Sequence, residues 1–204
     1  PYSPSRKKEA GADAEAANGN VLRFPKDDSK DLEQRSADGE PAEPLWTGYA
    51  EAGSAVASGL EAIAASDRAF SPKSFVEGAK LAYEMIVDAF ARGDKSALKP
   101  LLSREVLDGF ARAIDEREAA GQKIDARFVG IDKASIMAAG TAGRKANITM
   151  RFVSELISAT LSRDGAVIEG HPTQIREITD VWTFERDLNS RDPNWKLVST
   201  EEPA

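Results

Sequence analysis

The sequence has no cysteine and a single histidine among its 204 residues. The first absence excludes disulfides, thiolate nucleophiles and zinc sites built on Cys. The second leaves His171 as the one possible base of a Ser-His-Asp triad and rules out multi-histidine metal sites within the chain. No stretch approaches the roughly 20 apolar residues needed to span a bilayer. Bases are outnumbered by acids, 27 against 34, and the formal charge of −7 argues against general nucleic-acid binding. There is no P-loop, dinucleotide fingerprint or metal-ligand spacing, so no cofactor is expected.

What is present divides into three parts. Residues 1–45 are rich in Ala, Gly, Asp, Glu, Ser and Pro, with one short apolar island at Val21, Leu22 and Phe24. Such a segment cannot bury enough apolar surface to offset its ordering entropy, and a disordered arm is predicted. It opens on the basic cluster Arg6-Lys7-Lys8, which reads either as a solvated linker end or as a juxtamembrane charge patch. The chain begins at Pro1, not Met, and reads as a fragment whose upstream segment is out of view.

Residues 46–69 are predicted to carry an amphipathic helical segment. Val56, Leu60 and Ile63 recur at helical spacing beside Ala57 and Ala64, while Gly53 and Gly59 weaken the segment as an isolated helix. So thin a stripe needs a surface, which is either the chain's own domain or a partner or lipid headgroups.

Residues 70–204 read as one α+β domain. Ser71-Pro72 is a helix start, with Ser74 and Glu77 as an alternative capping box. The helix that follows places Phe75, Ala79, Ala82, Ile86 and Ala89 inward, with Leu81 and Met85 widening that face and Tyr83 off its centre; Gly93 stops it. Asp94 caps a short helix, and Ser103 caps another that turns Leu107, Phe110, Ala113 and Ile114 inward and ends near Gly121. Asp115, Glu116, Arg117 and Glu118 form its solvated end. Beyond Gly121 the period changes to two. Ile124, Ala126 and Phe128 alternate with polar residues, as do Ala146, Ile148, Met150 and Phe152. Past Phe152 the apolar parity shifts to Val153 and Ile157, which predicts a β-bulge. Ile136 and Met137 form a short run of unclear period. Ile178, Trp182 and Phe184 share one strand face, and Trp195 and Leu197 another. Turn residues punctuate at 140–143, 163–165 and 189–194. Helices covering the concave face of a bent antiparallel sheet are the predicted architecture.

Asp180 lies two positions from both Ile178 and Trp182, so strand geometry points it at their face. A carboxylate beside an indole in a concave pocket is a candidate general base, or it satisfies a donor there. Phe128, Met150, Phe152, Asp180, Trp182 and Trp195 are the candidate pocket lining, although aromatic strand positions are equally core. His171, in Gly170-His171-Pro172, reads as an exposed loop residue. No catalytic set assembles around Asp180, and an enzyme is not expected.

The segments FSPKSFVEGAKLAYEMIVDAFARGDKSALKPLLSREVLDGFARAIDERE, FVGID, RFVSELISAT and ITDVWTFERDLNSRDPNWKLVSTE resemble the C-terminal domain of the Tim forty-four family, most of all its alphaproteobacterial branch. The resemblance covers nearly all of residues 70–201. It implies a cone of helices on a curved antiparallel sheet, like nuclear transport factor two, with an apolar pocket. It implies membrane association through the N-terminal side of the domain, with Val56, Leu60, Ile63, Phe70 and Phe75 as the membrane- or partner-binding residues. The function it implies is that of an adaptor or scaffold at the bacterial inner membrane, with the domain on the cytoplasmic face, an upstream anchor, and a task in protein translocation or membrane-protein assembly. The expected partner is a protein or an anionic lipid surface. The alternative from a different class is a small-ligand binder or isomerase-type enzyme that uses the cone pocket with Asp180 as base.

Overall fold

The computed structural model describes residues 43–201. The basic cluster and the apolar island of the arm lie outside them. Among the described residues four helices precede four strands: α1 (Ala55–Ser66), α2 (Pro72–Arg92), α3 (Lys95–Leu98), α4 (Arg104–Ala119), β1 (Lys123–Ala142), β2 (Lys145–Leu161), β3 (Val167–Asp187) and β4 (Lys196–Glu201). Each helix starts on a side-chain cap. Ser54, Ser71, Asp94 and Ser103 accept from the backbone N–H of Ala57, Ser74, Ala97 and Val106 respectively. Ser71 thus caps α2 with Pro72 in the first turn, and Gly93 ends it in the left-handed region at φ 74°.

The strands form an antiparallel meander in the order β1-β2-β3-β4. A parallel bridge between Leu102 and Leu197 ties the start of α4 to β4. No residue of β2 is skipped past Phe152, so the predicted bulge is absent from this strand: its alternation runs on through Ser154, which takes the next buried place instead of Val153, and only beyond Ser154 does the buried parity change, to Ala159. The irregularities lie in its neighbours. Val129, Asp132 and Met137 are each skipped by the pairing of β1 with β2. In β3 the pairing jumps from His171 to Ile175, leaving residues 172–174 over. Ile136 and Met137 therefore belong to β1, and their period was unreadable because Met137 is a bulge residue. His171 is exposed, as expected, but lies in strand β3 rather than in a loop.

The two helices α1 and α2 lie against β1, and α4 reaches β4. On α2 the buried file runs Phe75, Ala79, Tyr83, Ile86 and Ala89. Tyr83 lies four residues after Ala79 and so falls inside that file, not beside it. Leu81 and Met85 stand about 200° from Ala79 and Tyr83 at 3.6 residues per turn, and they are 60 % and 45 % exposed. They do not widen the buried face. On α4 only Ile114 is fully buried, and Ala113 faces solvent. Arg117 is not part of a solvated end: its guanidinium donates to the carbonyl oxygens of Phe90 and Ala91, the last carbonyls of α2.

The helix α1 lies directly on β1. A Cβ built on Gly59 would come within 1.9 Å of the Ala139 carbonyl oxygen, so glycine here permits contact between helix and strand backbones. That contact sinks Leu60 and Ile63 into the core.

Candidate functional site

The concave side of the sheet is filled by a side chain of the protein itself. The Tyr83 ring stacks on Phe152 with centroids 4.6 Å apart, sits 4.6 Å from Trp182 and 6.1 Å from Phe128. Tyr83, Met150, Phe152 and Ser154 are fully buried, and Trp182 nearly so. The phenol has one proton and a carboxylate only accepts, so Tyr83 donates to Asp180 at 2.6 Å and Ser154 donates to the Tyr83 oxygen at 2.8 Å.

This arrangement sets the electrostatics. Burial pushes the Tyr83 phenol above its ordinary range, and the Asp180 hydrogen bond and charge push it further, with Ser154 acting in the opposite sense. A phenol so disfavoured as an anion keeps its proton. Asp180 is held at its inward position by that proton, and the pair acts as a tether between helix and sheet.

Of the six predicted lining residues, the fold brings Phe128, Met150, Phe152, Asp180 and Trp182 together. It sends Trp195 elsewhere. Trp195 packs on Phe75 and Phe70, with centroids at 4.8 and 6.1 Å. These three rings line a separate groove of about 560 Å³ on the outer flank of α2, which also takes in Leu81, Met85 and Arg186. At its edge Arg186 pairs with Asp67 at 2.6 Å, both side chains largely buried, while its Nε has no hydrogen-bond partner.

The predicted membrane- or partner-binding residues are thereby redistributed. Leu60 and Ile63 are wholly buried, and Phe70 and Phe75 are buried with one side on the groove. Val56 is half-buried. The helical stripe is satisfied by its own sheet, because the Gly59 contact draws it in. On α2 the residues that expose apolar surface are Leu81 and Met85, which were read as widening the inward face. Their spacing from Ala79 and Tyr83 was the available signal.

A helix-covered antiparallel sheet with a filled, hydrogen-bonded interior and an apolar groove on its flank is an α+β domain. Residues 56–202 match the family model of the Tim44-like domain, and the chain belongs to that family. The family is one of membrane-associated scaffold and adaptor domains. The uncharacterized protein RP434 of Rickettsia prowazekii (strain Madrid E) is 25% identical over 147 residues, covering 72% of this chain and 60% of RP434. The chain thus spans less than two thirds of that relative. Among solved structures, the intermembrane-space region of the chloroplast protein ARC6 aligns with a TM-score of 0.43 at 14% identity, over 62% of this chain and 94% of that one. A de novo designed β-sheet protein aligns with a TM-score of 0.29 at 17% identity, over 63% of this chain and 87% of that one. Among the described residues no helix is long and apolar enough to cross a membrane.

Proposed function

We propose that this chain is an adaptor that holds a protein partner at the cytoplasmic face of the bacterial inner membrane, in protein translocation or membrane-protein assembly. The observation that carries this reading is the occupied interior. Tyr83 fills the space between helix and sheet where a substrate would have to sit, and it engages the one carboxylate that strand geometry made a candidate base. Binding is thereby left to the outer surface. There Leu81 and Met85 stand exposed over Phe70, Phe75 and Trp195, a surface suited to an apolar segment of another protein.

The test is co-purification of the full-length protein from its native membrane, comparing wild type with Leu81→Glu/Met85→Glu. A partner held by the wild type and lost from a folded double variant supports the reading. Retention of every partner by the variant removes the groove from it. A turnover reaction abolished by Asp180→Asn in a folded protein would replace it with the enzyme reading.

A further inference from the structure

A second cavity, of about 680 Å³, opens at the other end of β2 from the groove. It lies between the C-terminal ends of α2 and α4 and the start of β1. Four cations line it, Arg92, Arg117, Lys123 and Arg163, against one carboxylate, Glu118. They come from α2, α4, β1 and the turn between β2 and β3, in a chain whose net charge is −7. Ile124 and Leu161 give it an apolar wall.

Two of these cations have structural roles. Arg117 satisfies the last carbonyls of α2, and Arg92 pairs with Asp88 at 2.8 Å; both sit at helix C-termini, where positive charge suits the dipole. Lys123 and Arg163 have no such role. Neither ends a helix, and neither makes an ion pair or a side-chain hydrogen bond among the described residues. They are nonetheless brought close, because Lys123 is the cross-strand partner of Leu161, two residues before Arg163. The Arg163 guanidinium is also seated. It lies over Gly121, where a Cβ would come within 2.6 Å of its Nε, and the φ of +70° there favours glycine. Converging cations without acid partners, one of them a planar fork, match the geometry of phosphate oxygens. The volume is that of a small-molecule site.

We propose that this cleft binds a phosphate-bearing molecule, with Arg163 and Lys123 holding the phosphate and Ile124 and Leu161 contacting the apolar body. The phosphate belongs to either a soluble ester or a phospholipid headgroup. Calorimetry of the 204-residue chain with pyrophosphate at low ionic strength tests it, beside sedimentation with phosphatidylcholine vesicles with and without phosphatidylglycerol. Pyrophosphate is expected to bind one to one with a Kd below about 1 mM. The double variant Lys123→Gln/Arg163→Gln, both surface positions, should weaken it at least about tenfold. Lys133→Gln, an exposed cation elsewhere on β1, should leave it unchanged. Vesicle binding lost in the same double variant, without pyrophosphate binding, assigns the phosphate to a headgroup and equally supports the site. Binding of neither probe, equal binding by the wild type and both variants, or tighter binding of an acidic peptide than of pyrophosphate overturns it.

Discussion

The Tyr83 hydroxyl donates to Asp180 at 2.6 Å, tying the middle of α2 to the middle of β3 from inside the fold. Its ring stacks on Phe152 at the same point. Ring and hydroxyl make separable contributions. Tyr83→Phe keeps the ring and removes the tether, and is expected to cost about 1–3 kcal/mol, since Ser154 loses its partner inside the core. Tyr83→Ala also opens a cavity and should cost about 3–5 kcal/mol. Urea unfolding measures both. A Tyr83→Phe variant as stable as wild type would show that the hydrogen bonds add nothing to the packing.

The same phenol makes stability fall in alkali. Its pKa in the folded protein is raised above the unfolded value of about 10. The unfolded chain therefore releases this proton first as pH rises, and the stabilisation is complete below pH about 10 and declines above it. Urea midpoints at pH 9 and pH 11 should drop further for wild type than for Tyr83→Phe, in which other titrating groups are unchanged. Equal drops would contradict the raised pKa.

Trp182 of β3 and Trp195, which lies just before β4, are not equivalent. Trp182 is nearly buried among Tyr83, Phe152 and Phe184, and Trp182→Ala should cost about 3–5 kcal/mol. Trp195 is only half-buried on the groove wall, so Trp195→Ala should cost clearly less. Denaturation midpoints in the reverse order would mean that the groove, not the interior, is the main core.

Two helical glycines should respond with opposite sign. Gly78 has nothing within 4 Å of an added Cβ, and Gly78→Ala is expected to stabilise by up to about 1 kcal/mol through helix propensity. Gly59→Ala brings the same intrinsic gain but drives a methyl into the Ala139 carbonyl, so α1 must move off β1. Melting temperatures of the pair give a direct comparison. A stabilised Gly59→Ala would show that α1 has room to spare.

Flotation with anionic vesicles should find this chain weakly and reversibly bound. Leu60 and Ile63 are unavailable while α1 lies on the sheet, and Val56 alone supplies little apolar area. Tight, salt-resistant binding accompanied by faster amide exchange in α1 would mean that the helix peels off to reach the lipid.

Much of this architecture was legible because the signals that set it are local. Ser71-Pro72, Asp94 and Ser103 announce their helices by side-chain chemistry within one turn. The face of β2 was legible up to Phe152, since no bulge disturbs its alternation. Beyond that the drop to Ser154 looked like a slip, because a buried serine is recognisable only with Tyr83 opposite it. β1 resisted reading at Val129, Asp132 and Met137, where each skipped residue resets the period. The inward aim of Asp180 followed from Ile178 and Trp182. Its partner, 97 residues away, did not. Leu81 and Met85 misled because hydrophobicity was weighed before angle: apolar side chains on the outer flank of α2 drew the inferred face away from Tyr83. The basic cleft left no trace in the sequence, since its four cations come from positions scattered between residues 92 and 163.

The three skipped residues of β1 also bear on how the protein avoids sticking to itself. As the outermost strand, β1 presents 20 residues of backbone along one margin of the sheet, the kind of template on which a foreign strand grows. At Val129, Asp132 and Met137 the rhythm of that margin is broken, so an incoming regular strand falls out of step within a few residues. The longest regular stretch, from Lys123 to Phe128, carries exposed Lys123, Asp125 and Arg127 at alternate positions. Geometry interrupts one part of the margin and charge another, and both devices disfavour fibril growth from this edge.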